Sequence, residues 1–219
     1  MVNTAFSVGE TAARQRLIDV CRRLNERGLN HGSSGNASVR WEQGLLITPT
    51  GMAYEDLAPQ DIVYMDLYGE VEQGQRRPSS EWAFHAALLK ARPELHAVLH
   101  AHSPNATALA VLGRELPPFH YMIAMAGGNS VRCAPYATFG TPELADNAVV
   151  AMADRKACLL ANHGILTAGR DMDEAFNVLQ EIEALCGIYI DACQLGEPVL
   201  LDDVEMARVV AKFGGYGQQ

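Results

Sequence analysis

Three histidines follow a pattern that can bind a metal ion. His100 and His102 lie near the end of residues 95–102, whose apolar run predicts a strand. Side chains two residues apart on a strand point to the same face, so these two imidazoles can hold one cation such as zinc. His163, between two further predicted strands, is the best candidate for a third ligand. Alternatively, His100 and His102 are hydrogen-bonded histidines at a strand end, without a metal.

Glu81 could supply a carboxylate ligand to such a site. It follows Ser79 and Ser80 at the predicted start of a helix that runs to about residue 91. The alternative role is structural, because a glutamate in the first turn complements the helix dipole. A role at the metal requires that Glu81 reach the histidines. The remaining histidines have no partner at ligand spacing and are interpreted as structural or surface residues: His31, His85, His96 and His120.

Short polar segments are candidates for binding an anion such as a phosphate. Glycine lets the backbone approach a ligand closely, and exposed amides can hold phosphate oxygens. The serine pair also stands at a predicted helix N-terminus, which favours an anion. Taken singly, each segment is equally typical of an ordinary turn. The segments are Gly32-Ser33-Ser34-Gly35-Asn36, Thr48-Pro49-Thr50-Gly51 and Ser79-Ser80.

The elements that must position these residues mix helices with strands in one predicted domain, residues 1–219. Because the strands do not alternate strictly with helices, we expect an α/β fold with three α/β/α layers on a mostly antiparallel or mixed sheet. Ser7 and Glu10 have the spacing of a capping box at the first helix. Helices are predicted up to about residue 28 and at 79–91, 104–112, 141–153, 171–195 and 202–213. Strands are predicted at 37–41, 45–48, 62–67, 95–102, 157–160 and 165–168, with one or two more within 119–137.

Charge and composition exclude several classes of partner. The 219 residues include 17 Lys and Arg against 26 Asp and Glu, a net charge of -9. Such a surface is not expected to bind nucleic acid or anionic membranes, although neutral amides and hydroxyls could still bind a small phosphate. The five cysteines have no Cys-x-x-Cys pair and are interpreted as free, mostly buried thiols. Without a signal peptide or an apolar run of about 18 residues, a cytoplasmic protein is expected.

The motifs taken together resemble one family, the class II aldolase/adducin family. The resemblance lies in their order and spacing and extends from about residue 17 to 217. The stretch from His120 to Thr141 is similar to the members that act on fuculose 1-phosphate. The motifs that carry the resemblance are Gly35-Asn36, Thr50-Gly51, Pro78-Ser79-Ser80-Glu81, His100-x-His102 and Asn162-His163-Gly164.

The resemblance implies a zinc-dependent lyase with one Zn²⁺ per subunit. His100, His102 and His163 would bind the metal, and Glu81 would complete the metal site in the empty enzyme and act as a base. The family also implies a fourfold homotetramer with sites between subunits. The residues implied to hold the substrate phosphate are Gly35, Asn36, Thr50, Gly51, Ser79 and Ser80.

Three aromatic residues match family positions near the substrate. By the resemblance, Tyr121 would donate a proton across a subunit interface, Tyr216 would close over the site, and Phe139 would lie near the aldehyde. The tail that carries Tyr216 is short and rich in glycine, so a disordered terminal tyrosine is the alternative reading of that residue.

The reaction implied is the reversible cleavage of L-fuculose 1-phosphate into dihydroxyacetone phosphate and L-lactaldehyde. Zinc, as a Lewis acid, can stabilise the carbanion that forms beside the carbonyl, and a carboxylate or tyrosine can move the protons. Two alternatives within the family remain, an aldolase for a related deoxy-sugar 1-phosphate and a phosphopentose 4-epimerase. Glu81 favours an aldolase, because the epimerase pattern has aspartate at that position. The three histidines count against a purely structural, adducin-type domain.

Overall fold

A computed structural model describes residues 6–213, in which six α-helices surround a seven-stranded sheet. The helices are α1 (Val8–Glu26), α2 (Trp82–Ala91), α3 (Pro104–Val111), α4 (Pro142–Ala151), α5 (Met172–Leu195) and α6 (Asp203–Phe213). The strands are β1 (Asn36–Trp41), β2 (Gly44–Ile47), β3 (Val63–Asp66), β4 (Ala97–Ala101), β5 (Cys133–Ala134), β6 (Ala157–Leu160) and β7 (Gly164–Gly169).

The sheet is mixed and mostly antiparallel, as the sequence predicts. Its strand order is β3-β2-β1-β4-β7-β6-β5, and only the β5–β6 pair is parallel. Successive side chains of a strand face opposite layers. In β4, Leu99 packs into the core that holds α1, α3 and α5, whereas Val98 packs into the core that holds α2 and α4. The three-layer α/β/α architecture follows from this alternation.

Helix starts were predictable where a side chain caps the first turn. The side chains of Ser7, Thr141 and Asp171 accept amide hydrogens at the starts of α1, α4 and α5. The prediction that Ser79 or Ser80 caps α2 is wrong. The helix begins at Trp82, and Glu81 occupies the cap position without a side-chain cap bond. Ser79 Oγ instead accepts the amide hydrogen of Glu81 at 3.3 Å, which forms a turn ahead of the helix.

The predicted strands within residues 119–137 are mostly absent. Residues Tyr121–Ala126 form a 3-10 helix, and only the two residues of β5 pair with the sheet. The imidazole of His120 accepts the amide hydrogen of Met122 at 3.2 Å, which starts a turn within the segment predicted to contain strands. Gly127 ends the helix with a left-handed φ of 93°. Local side-chain capping therefore overrides the β-like pattern here.

Within residues 6–213, no helix is long and apolar enough to cross a membrane. All five cysteines are free, and Cys193 is the exposed one, so the sequence interpretation of unpaired, mostly buried thiols is confirmed.

Candidate active site

Three imidazoles converge at one end of the sheet. His100 lies on β4, His102 follows its last residue, and His163 lies in the turn between β6 and β7. The pairwise distances between their ring centroids are 4.7–5.0 Å. Their candidate ligand nitrogens all lie within 4.8 Å of one another. The structure thus brings together the three histidines that the sequence proposed as ligands.

The imidazoles are neutral, as metal ligands must be. Burial lowers the pKa of His100 to about 3, and the neighbouring His102 contributes to that shift. Burial likewise lowers the pKa of His163 to about 4, with a further contribution from His100. His100 Nδ1 lies 2.9 Å from the carbonyl oxygen of Ile165 and donates to it, so its Nε2 keeps a free lone pair directed to the centre of the cluster.

Glu81 reaches this cluster. Its side chain is buried, with Oε1 3.2 Å from His163 Nε2 and Oε2 3.4 Å from His100 Nε2. Oε2 also accepts a hydrogen bond of 2.9 Å from Asn36 Nδ2, whereas Oε1 has no hydrogen-bond partner. A role limited to the helix dipole would not explain these contacts of Glu81 with the histidines and Asn36.

The donor set fits a divalent cation. The Nε2 atoms of His100 and His102 are 3.1 Å apart. Because His100 donates from Nδ1, its Nε2 is unprotonated and can share a hydrogen or a cation with His102 Nε2, and a buried carboxylate oxygen without a donor lies beside them. A cation that accepts electron pairs from three nitrogens and one oxygen satisfies all of these atoms, which is the chemistry of a catalytic zinc-type site. His100, His102, His163 and Glu81 would hold it.

Backbone geometry fixes the loop that precedes β1 against the metal ligands. Gly35 has a left-handed φ of 76°, and a Cβ there would lie 2.6 Å from the carbonyl oxygen of His100. The buried Asn30 joins the same parts, because its Nδ2 donates to the carbonyl oxygen of Ser34 and its Oδ1 accepts from the amide of His102 at 3.1 Å. Sequence reasoning missed Asn30, since nothing in its surroundings marks a contact 72 residues away.

A cleft of about 360 Å³ opens beside the histidines and collects the predicted phosphate-binding residues. The cleft is lined by all six predicted phosphate-binding residues, Gly35, Asn36, Thr50, Gly51, Ser79 and Ser80, together with Glu81, His102, His163 and Phe139. His100 lies behind this lining and is fully buried. Of the other lining residues, Ser33, Ser34 and Pro49 belong to the candidate anion-binding segments and Asn162 to the motif of His163, whereas Tyr136 and Ala137 were not predicted as site residues.

Two amides of the expected phosphate cradle are already occupied. The Thr50 amide donates to the Arg77 carbonyl at 3.1 Å, and the Ser79 amide donates to the Thr48 carbonyl at 3.0 Å. These bonds shape the loops around the cleft. The donors that these two residues can offer to a ligand are therefore their hydroxyl groups.

Of the two predicted aromatic residues that lie within residues 6–213, Phe139 lines this cleft and Tyr121 does not. Tyr121 lies on the 3-10 helix, is 52% exposed, and is not among the cleft-lining residues found within 6–213. Tyr216 lies outside the described residues. Phe139 does line the cleft, and the residue is 63% exposed.

The fold and the site define a class of protein, a metal-dependent enzyme that acts on a small polar substrate. Three neutral histidines and a carboxylate stand beside a cleft rich in hydroxyl groups and loop backbone. The family model described as "Class II Aldolase and Adducin N-terminal domain" matches residues 15–190. The chain therefore belongs to the class II aldolase and adducin family.

Several relatives resemble the chain over nearly its whole length. A 5-methylthioribulose-1-phosphate/5-deoxyribulose-1-phosphate aldolase of Rhodospirillum rubrum is 51% identical over 206 residues, which are 94% of this chain and 93% of the relative. An L-fuculose phosphate aldolase of Escherichia coli strain K12 is 46% identical over 94% of this chain and 95% of its own length. A solved structure of an L-fuculose 1-phosphate aldolase superposes with a TM-score of 0.90 at 45% identity, covering 93% of this chain and 97% of that chain.

The protein is thus a class II aldolase, a lyase, with the fold that the sequence predicted. Enzymes of this class depend on a metal ion, and His100, His102 and His163 form a cluster that could hold one. A sugar phosphate is the class of substrate that fits these relatives.

Proposed function

We propose that this enzyme reversibly cleaves a deoxyketose 1-phosphate into dihydroxyacetone phosphate and a short aldehyde. L-Fuculose 1-phosphate, which gives L-lactaldehyde, is the first candidate. The observation that carries the proposal is the convergence of His102, His163 and Glu81 with the hydroxyls of Thr50 and Ser79 in one cleft. A ketose 1-phosphate has a phosphate at one end and its reacting oxygens a few bonds away, which matches that arrangement.

The metal is proposed to be zinc, one ion per subunit. When bound, it supplies Lewis-acid stabilisation for the negative charge that develops beside the ketone carbonyl. In cleavage the C4 hydroxyl loses its proton, the C3–C4 bond breaks, and C3 is then protonated. Glu81 would exchange the proton at C3 or its hydroxyl, and Tyr121 of a neighbouring subunit would exchange the proton of the aldehyde oxygen. Tyr216 is proposed to close over the site.

The phosphate is proposed to be held without a basic side chain. Hydroxyls and free amides can bind phosphate oxygens. The residues proposed to supply them all lie in the cleft wall: Gly35, Asn36, Thr50, Gly51, Ser79 and Ser80. Binding the phosphate away from the breaking bond orients the reacting carbons, which lowers the entropic part of the barrier.

A second candidate substrate is 5-methylthioribulose 1-phosphate or 5-deoxyribulose 1-phosphate. The relative that is 51% identical carries both in its name. By atom balance, these substrates would give (methylthio)acetaldehyde or acetaldehyde with the same dihydroxyacetone phosphate. Tyr136, Ala137 and Phe139 give the cleft an apolar wall that suits a methyl or methylthio end. The relatives compared above are aldolases, which leaves the phosphopentose 4-epimerase alternative without support from them.

The substrate proposal can be tested in the direction of synthesis. The metal-loaded enzyme is incubated with dihydroxyacetone phosphate and, separately, L-lactaldehyde, acetaldehyde, (methylthio)acetaldehyde and glycolaldehyde. We expect ketose 1-phosphate products by mass spectrometry, with the highest kcat/KM for one of the first three aldehydes. Preference for glycolaldehyde would contradict an apolar aldehyde end. Absence of carbon–carbon bond formation with every aldehyde would refute the proposed reaction.

We propose that the working unit is a homotetramer in which Tyr121 serves the site of a neighbouring chain. Tyr121 is half exposed and stands outside the lining of its own cleft, so a contribution to catalysis requires a second chain. Sedimentation is expected to give a mass about four times 23.8 kDa. A monomer at assay concentration would contradict this arrangement.

Mixed assemblies test the shared site directly. Chains with Tyr121→Phe and chains with His163→Ala are each expected to be nearly inactive alone. Refolded together, they should recover activity, because a metal site from the first chain then meets a Tyr121 from the second. If the tyrosine acted within its own chain, the mixture would stay as inactive as its parts.

A further inference from the structure

His85 is a fully buried histidine that the proposed reaction does not use. It lies on α2, four residues after Glu81, and its exposed fraction is 0%. Its Nε2 is 2.6 Å from Asn36 Oδ1, and its Nδ1 is 2.7 Å from Ser38 Oγ. Sequence reasoning left it as a structural residue because it has no partner at ligand spacing.

The directions of the hydrogen bonds that link His85, Asn36 and Glu81 follow from the carboxylate of Glu81. An ionised carboxylate only accepts hydrogen bonds, so the atom of Asn36 that lies 2.9 Å from Glu81 Oε2 is the amide nitrogen. The amide oxygen must then face His85, and it can only accept. His85 Nε2 therefore carries a hydrogen and donates to it. In the neutral ring Nδ1 is unprotonated and accepts from the hydroxyl of Ser38.

Strand geometry holds the same residues in register. Asn36 and Ser38 are two apart on β1, so both side chains face the layer that contains α2. Asn36 also pairs directly with His100 across the β1–β4 ladder. A buried chain of hydrogen bonds thus runs from His85 on α2 through Asn36 on β1 to the carboxylate of Glu81, beside the proposed metal ligands.

We propose that His85 is a positioning residue for Glu81. By donating from Nε2, it fixes the amide of Asn36 in one of two nearly isosteric orientations, the one that directs Nδ2 to the carboxylate. The opposite orientation would direct the amide oxygen at Glu81 Oε2, where two acceptors would face each other in a buried site. The inference rests on the proposed role of Glu81 as the proton-transferring group.

The assignment has a consequence for Asn36. Its side-chain nitrogen donates to Glu81, so in this state that nitrogen orients the carboxylate and is not free for a phosphate, although Asn36 lines the cleft. Loss of the donor at position 85 should therefore impair proton transfer more than phosphate binding, because the hydroxyls of Thr50, Ser79 and Ser80 are untouched.

Neutron diffraction of the metal-loaded wild-type protein tests the hydrogen positions without any assay. We expect deuterium on Nε2 of His85 and an Asn36 amide nitrogen directed at Glu81. Deuterium absent from Nε2, or an amide oxygen facing the carboxylate, would overturn the proposal. Because this measurement does not depend on turnover, it separates the proposal from the proposed aldolase reaction.

Kinetics of two variants test the consequence for catalysis. His85→Leu removes the donor, whereas His85→Gln can place an amide N–H near the position of Nε2. We expect His85→Leu to lower kcat by about tenfold to a hundredfold, with KM for dihydroxyacetone phosphate and the Kd of inorganic phosphate little changed. His85→Gln should recover most of the loss.

A packing variant on the same helix separates positioning from stability. Leu89→Val removes one methylene from a buried α2 residue and should lower the melting temperature without the loss of kcat. Suppose that His85→Leu and His85→Gln lost kcat equally, and only in proportion to the decrease in their melting temperatures. His85 would then be structural and the proposal wrong. Unchanged kcat in a folded His85→Leu variant would also overturn it.

Discussion

Replacing His163 with alanine is expected to remove most of the bound metal and to lower kcat about a thousandfold or more. The metal's contribution to charge stabilisation is several kcal/mol, and each 1.4 kcal/mol is a factor of ten in rate. His163 is one of three converging imidazoles, and Glu81 Oε1 lies 3.2 Å from its Nε2. With Glu81 released from the ion to act as the base, only two protein ligands would remain, fewer than the three that catalytic zinc sites use.

Metal analysis and activity should change together in this variant. The wild-type protein should carry about one divalent ion per chain and lose activity with a chelator, and His163→Ala should carry little metal under the same conditions. His96→Ala is a matched control, because His96 is exposed and precedes the opposite end of β4. It should keep both metal and kcat. Full activity in metal-free protein would refute the metal site.

The sequence predicted best those features that a few neighbouring residues determine. Capping side chains such as Ser7 and Thr141 fix helix starts locally, and alternation along β4 fixes which side chains share a face. The prediction of strands within residues 119–137 is wrong for Tyr121–Ala126, because the imidazole of His120 and a left-handed Gly127 commit this segment to a 3-10 helix. Such capping competes with strand formation, and the alternation of apolar and polar residues does not reveal it.

The candidate site was predictable to the extent that its residues have recognisable types and spacing. His100 and His102 share a short motif, and the order of the motifs located His163 and Glu81. Asn30 and His85 could not be found in this way. Asn30 acts through contacts 72 residues along the chain, and His85 acts through Asn36, so their partners are set by the packing of α2 and the loop before β1. Tyr216 lies outside the described residues and stays a prediction.

Glu81→Gln is expected to keep the fold and most of the metal while it lowers kcat by about 10²–10⁴-fold, the usual contribution of general acid–base catalysis. The substitution is isosteric. The glutamine oxygen can still accept from Asn36 Nδ2, and in the metal-free protein its NH₂ group can donate toward His163 Nε2, where Oε1 has no hydrogen-bond partner. Stability should therefore change little, because the buried polar atoms remain satisfied. What is lost is the ability to accept a proton.

A half-reaction isolates that loss from every other step. In deuterated water, without an aldehyde, the wild-type enzyme should exchange one C3 hydrogen of dihydroxyacetone phosphate for deuterium. Glu81→Gln should suppress this exchange to the same degree as kcat, whereas the Kd of inorganic phosphate should not change. Glu174→Gln is a suitable control, since Glu174 lies on α5 and forms an ion pair with Lys156. Near-normal exchange in Glu81→Gln would exclude Glu81 as the base and leave it only a structural role beside the metal. Suppressed exchange with intact phosphate binding would instead assign the proton transfer to this carboxylate.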